Sequence, residues 1–156
     1  MNIFANVEIT FNCDVVDKSS LFTNNKDKLY KLLLEVVKEL KQKSNFVVSL
    51  NIIKGEKIKK LNKEYRKIDK ETDVLSFPQN ELFDNIYDLG DIFINGDLIE
   101  EQARSINSNQ DTEFLFLFMH GLLHLIGYDH LNSLDEEKMI NRQKDLFKKL
   151  KIREND

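Results

Sequence analysis

The stretch from Phe114 to Tyr128 constrains this chain more than any other, because it is apolar almost all round a helical circumference and yet carries histidines. A helix of that kind has no face to give to water and belongs at the centre of the fold. All three histidines of the chain fall in or just after it, in His120-Gly-Leu-Leu-His124-Leu-Ile-Gly127-Tyr-Asp-His130. Residues four apart share a helix face, so His120 and His124 can turn two imidazoles towards one ion. Gly127 is suited to end the helix, since it adopts a left-handed cap without steric cost. The chain can then turn back and bring His130 to the same point. Three neutral imidazoles leave a fourth zinc position open to water, the arrangement of catalytic rather than structural sites. We therefore expect one Zn2+ per chain on His120, His124 and His130, borne on a zincin-like helix.

The rest of the chain supplies a mixed α+β frame for that helix. Ile3, Ala5, Val7, Ile9 and Phe11 alternate with mostly polar neighbours, a half-buried strand. Leucines and valines at helical spacing predict a helix over 27–43, and the β-branched run 45–54 predicts a second strand ended by Gly55. A helix over 56–67 is expected to turn Ile58, Leu61 and Tyr65 inward. Residues 72–78 read as a short extended segment closed by Pro78, the only proline. A strand over 90–96, a helix over 97–105, the histidine helix over 113–126 with Asp111-Thr112 as its cap, and a last helix from Ser133 or Asp135 to Leu150 complete the order β-α-β-α-β-β-α-α-α. The expectation is a small mixed four-stranded sheet packed with about five helices, a single domain over 1–156.

Charge and cysteine usage narrow the setting. A lone Cys13 allows no internal disulfide and reads as a buried thiol in a reducing compartment. The first residues show no basic stretch leading into an apolar one, and Phe114 to Tyr128 is too short to span a bilayer. We expect a soluble, cytoplasmic protein with no membrane partner. The net charge of −4 argues against indiscriminate nucleic-acid binding, but residues 54–70 hold eight Lys/Arg against three acids.

Gly121 decides which chemistry the metal can serve. It stands where HExxH zinc proteases place the glutamate that activates water, so this chain has their ligand spacing without their base. Its plain structural alternative is close helix packing. A zinc-bound water ionises at a pKa of about 7 even without a carboxylate, and could attack phosphorus or deprotonate a ribose hydroxyl. Phosphodiester cleavage also needs a cation on the phosphate. Arg66 is the leading candidate for that catalytic role, with Lys59 and Lys63 beside it on the same helix as a substrate track. Asp129 either orients an imidazole or stabilises the turn.

The histidine motif resembles the HGxLHLxGYDH motif of the YbeY family of bacterial rRNA-maturation endoribonucleases. The similarity extends to Leu61-Asn62, Tyr65-Arg66, Thr72-Asp73-Val74-Leu75-Ser76-Phe77-Pro78, Leu89-Gly90-Asp91-Ile92 and Gln102-Ala103. Asp73 stands where some members have asparagine. The resemblance implies a zinc-dependent, single-strand-specific endoribonuclease acting in 16S rRNA 3′-end maturation and ribosome quality control. It implies zinc on the three histidines, Arg66 as the basic active-site residue, and contact with the small ribosomal subunit and its assembly proteins. Two alternatives stay open: a zincin-like metallopeptidase or amidase, and an assembly factor whose zinc is mainly structural.

Overall fold

The structure, a computed structural model, describes residues 6–129 and 131–152. In chain order the elements are β1 (Val7–Cys13), α1 (Ser19–Val37) with a 3-10 turn at Lys38–Leu40, β2 (Asn45–Ile53), α2 (Gly55–Arg66), β3 (Val74–Phe83), β4 (Ile86–Asn95), α3 (Ile99–Ser105), α4 (Gln110–Leu125) and α5 (Ser133–Lys149). The strands form one four-stranded sheet in the order β1-β2-β4-β3. β1 and β4 run parallel to β2, while β3 and β4 form an antiparallel hairpin. This is the expected mixed α+β architecture, with the expected element order.

Several boundaries differ from expectation for physical reasons. α1 begins eight residues earlier than periodicity suggests, at Ser19, and its apolar stripe tightens into the 3-10 turn before Lys41 takes a left-handed φ of 51°. The extended segment does not stop at Pro78. It continues to Phe83, because β3 is an edge strand, where a missing amide proton is tolerated and the ladder shifts register between Pro78 and Glu81. Asp84, at φ 54°, closes the hairpin into β4. The cap of α4 is Asn109, whose side chain accepts from the Thr112 amide at 2.8 Å, rather than Asp111 or Thr112. Cys13 is half-buried, not buried. The part of the first expected strand containing Ile3 and Ala5 lies outside the described residues.

The sheet separates two apolar layers. On one face α1, α4 and α5 close the main core around Leu50, Ile52, Ile92 and Ile94. On the other, α2 covers a smaller cluster of Ile53, Ile58 and Leu75, with Phe77 and Phe93 at its margin. Tyr65 does not turn inward as expected: it is 62% exposed, touching only the edge of Phe77. α4 is the central helix, with Phe114 and Phe118 fully buried. Each such ring contributes about 1.5–3 kcal/mol by leaving water. No described helix is long and apolar enough to cross a membrane.

Candidate functional site

Two hydrogen bonds fasten α4 to the edge strand and set its depth. Ser76 Oγ donates to the Gly121 carbonyl at 3.0 Å, and the Asn80 amide donates to the Leu125 carbonyl at 3.1 Å. The second satisfies a last-turn carbonyl with no helical partner of its own. Close approach is possible because Gly121 has no side chain: a Cβ there would stand 2.8 Å from Ile92 Cγ2. Gly121 thus faces β4, and packing accounts for the glycine.

The histidines stand on the adjoining face of the same turns, His124 three residues beyond Gly121. Nε2 of His120 and Nε2 of His124 lie 3.0 Å apart. His124 Nδ1 is 2.8 Å from the Tyr128 carbonyl, which can only accept, so that nitrogen carries the proton. His120 Nδ1 lies 2.8 Å from Gln143 Oε1 on α5 and is held as a donor in the same way. Both outer nitrogens are therefore spent as donors, and two Nε2 lone pairs converge. Two acceptors at that separation suit a shared cation, and an imidazole whose far nitrogen donates to an oxygen is the usual form of a metal ligand. The donor set fits zinc. His130 lies outside the described residues, and among those described no group of three or more His, Cys, Asp or Glu converges.

After α4 the chain turns as its sequence predicts. Gly127 has φ 111°, its amide donates to the His124 carbonyl, and the Tyr128 amide returns to Leu123. The Tyr128 hydroxyl donates to Glu39 at 2.7 Å, and Arg142 donates to the other carboxylate oxygen of Glu39 at 2.8 Å. Burial, then the bond to Glu39, pushes the Tyr128 phenol up to about 12, so it remains a donor at neutral pH. Asp129 accepts from the Leu131 amide at 3.2 Å, the turn-stabilising one of its two expected roles.

A cleft of about 580 Å³ runs along the β3 edge, walled by Asp73, Ser76, His120, His124 and Asp129, and Arg66 lines the same space. Arg66 is the last residue of α2, where Lys67 turns left-handed at φ 62° and releases the chain towards β3. Asn62 donates to the Lys70 carbonyl at 3.0 Å, and fully buried Asn95 donates to the Thr72 carbonyl at 3.2 Å, fixing that connection. Among the described residues no carboxylate pairs with Arg66, whereas Lys59 and Lys63 approach Asp69 at 4.0 and 3.9 Å. Neither lysine lines the cleft; Lys63 lines a separate shallow groove with Lys60, Glu64 and Lys67. Of the basic residues expected on this helix, the structure brings only Arg66 to the histidines.

Sequence reasoning missed Gln143 and Glu113. Gln143 lies on the same helical stripe as Met139, Leu146 and Phe147, a polar residue in an apolar row. Glu113 is seven residues before His120, on a helix otherwise almost free of charge, and is buried. Both are polar residues at core positions of their helices, a signal that helical periodicity alone carries.

The fold and cleft define an α+β protein with a histidine pair and an arginine set across the open edge of a mixed sheet. The family described as Endoribonuclease YbeY matches residues 13–151. An endoribonuclease YbeY from Limosilactobacillus reuteri is 41% identical over 129 residues, covering 74% of this chain and 81% of that protein. One from Halalkalibacterium halodurans is 32% identical over 146 residues, covering 86% and 92%. The solution structure of TM1509 from Thermotoga maritima superposes with a TM-score of 0.60 at 31% identity, covering 91% of this chain and 88% of that one. The chain belongs to the endoribonuclease YbeY family.

Proposed function

We propose that this protein is a zinc-dependent endoribonuclease that cuts single-stranded RNA, acting in 16S rRNA 3′-end maturation and ribosome quality control. The observation that carries the reading is the pair of Nε2 atoms 3.0 Å apart, their outer nitrogens both engaged, in one cleft with an arginine that no described carboxylate neutralises. His120, His124 and His130 would hold the ion. When bound, zinc supplies Lewis-acid polarisation and a water acidic enough to deprotonate near neutral pH. Arg66 pairs with the phosphate and offsets the charge that grows as the phosphodiester is attacked. Gln143 and the Tyr128 carbonyl keep both imidazoles in the tautomer that points Nε2 inward. The cleft, of about 580 Å³, suits a nucleotide splayed from a single strand rather than a duplex.

A protein with a net charge of −4 holds free RNA weakly, because counterion release needs clustered basic residues. Selectivity therefore comes from the small ribosomal subunit and its assembly proteins presenting the strand. A peptidase reading fares worse. A glutamate at position 121 would collide with Ile92, so the usual base has no room at that place on the helix. The experiment is metal analysis of the purified protein together with cleavage of matched single-stranded and duplex oligoribonucleotides. Stoichiometric zinc is expected, with single strands cut, His124→Ala losing both zinc and activity, and Arg66→Glu losing activity alone. Cleavage that survives both substitutions would overturn the proposal.

A further inference from the structure

A second cavity, of about 550 Å³, lies beside the histidine cleft between α3, α4 and α5. Asp73 lines both spaces, so they share a wall. Phe116, in the second cavity, stacks on His120 of the cleft with centroids 5.9 Å apart and planes 28° from parallel. Phe147 meets Phe116 edge-on at 6.2 Å and also lines the space. Two aromatic side chains thus border a cavity whose polar side groups are Asp73, Gln102, Thr112 and Glu113 together with two serines. Glu113 is only 6% exposed, it borders the cavity, and no described residue hydrogen-bonds its carboxyl group. A carboxyl group at a cavity wall can serve a ligand as a hydrogen-bond acceptor.

The lining excludes one ligand class and favours another. No lysine, arginine or histidine among the described residues borders the space, so it has nothing to hold a phosphate. Aromatic walls with carboxyl acceptors suit a planar, neutral ring bearing N–H donors. We propose that this cavity is a nucleobase pocket, taking a base with an exocyclic amino group from the nucleotide next to the phosphate held at Arg66. The amino group donates to Asp73 and Glu113, and the ring lies against Phe116 and Phe147. Uracil would set two carbonyl oxygens against these acceptors and is disfavoured. The proposal rests on the nuclease reading, for the strand that delivers the base is the one cut at the histidines.

Binding and cleavage separate the two ideas. Free adenosine, guanosine, cytidine and uridine, which carry no phosphate, are titrated into the full chain while the Phe116 and Phe147 ring resonances are followed. At least one amino-bearing nucleoside is expected to shift both rings at concentrations where uridine does not. Glu113→Gln should weaken that binding about tenfold or more. Phe147→Leu, which leaves Glu113 in place, should weaken it as well. In cleavage of single strands with a randomised base beside the cut, both variants should lose the preference for an amino-bearing base while still cutting uridine-flanked sites. Nucleoside binding without any cleavage would sink the nuclease reading and keep the pocket. Cleavage with no nucleoside binding and an unchanged base preference would overturn the pocket alone. Ring shifts produced by Mg2+ and by no nucleoside would also overturn it, marking a cation site instead.

Discussion

Gln143 Oε1 stands 2.8 Å from Nδ1 of His120, so the last helix sets the tautomer of an imidazole on the central one. The bond crosses 23 residues of sequence and is made by a side chain that is 8% exposed. Removing it takes away the acceptor that holds the proton on Nδ1. Gln143→Ala is expected to weaken zinc binding by about 10–100-fold, read by competition with a chelator of known affinity. Gln143→Glu, which keeps an acceptor at that point, should recover most of the affinity. Equal zinc affinity in the alanine variant would show that the bond has no orienting role.

Arg66 and its two helix neighbours should separate cleanly. Arg66→Lys keeps the charge but loses the fork, and is expected to lower the rate of RNA cleavage roughly 10–100-fold with zinc retained. Lys59→Ala and Lys63→Ala remove charges that face Asp69 outside the cleft, so cleavage at fixed salt should stay within about twofold. A larger loss in either lysine variant would extend the RNA path along α2.

Gly121→Ala tests the seam between α4 and β4. The added methyl would sit 2.8 Å from Ile92 Cγ2, an overpacking of about 1–3 kcal/mol against a gain in helix propensity of about 1 kcal/mol. Net destabilisation is expected in urea unfolding, and pairing the change with Ile92→Val should restore part of it. If the single variant were more stable than the parent, the seam would have slack that the geometry does not show.

Glu35 predicts a pH dependence. Burial pushes its carboxyl up, but hydrogen bonds from Lys149 at 2.7 Å and Lys38 at 2.8 Å prevail and hold it below the usual range. A carboxyl whose folded-state pKa is lowered adds stability above the unfolded value, about 4.3, and that stability is lost as pH falls through the folded value. Glu35→Gln should therefore be less stable than the parent at pH 7 and converge with it in strong acid. Parallel stability curves across that range would show that the bridge from α1 to α5 is idle.

Much of the site was legible because its chemistry is local in sequence. Four-residue spacing put His120 and His124 on one face, and Gly127 ended their helix with the left-handed cap that its position suggested. Arg66 was recognisable as a cation near the motif, but periodicity could not separate it from Lys59 and Lys63. That distinction depends on where α2 ends and how Asn62 and Asn95 hold the next turn. Gln143 escaped notice because pairing between helices has no period. β3 was cut short because Pro78 reads as a stop, and only its place at the sheet edge makes it harmless.

The same edge has a consequence for how copies of the chain meet. A strand with one free side is a template on which another extended chain can grow. Here the template is interrupted: Pro78 offers no donor, the ladder slips before Glu81, and Asn80 turns left-handed at φ 48°. A second molecule seeking to add a strand finds no continuous row of partners. The border of the cleft is thereby kept open for side-chain recognition and closed to fibril-like growth.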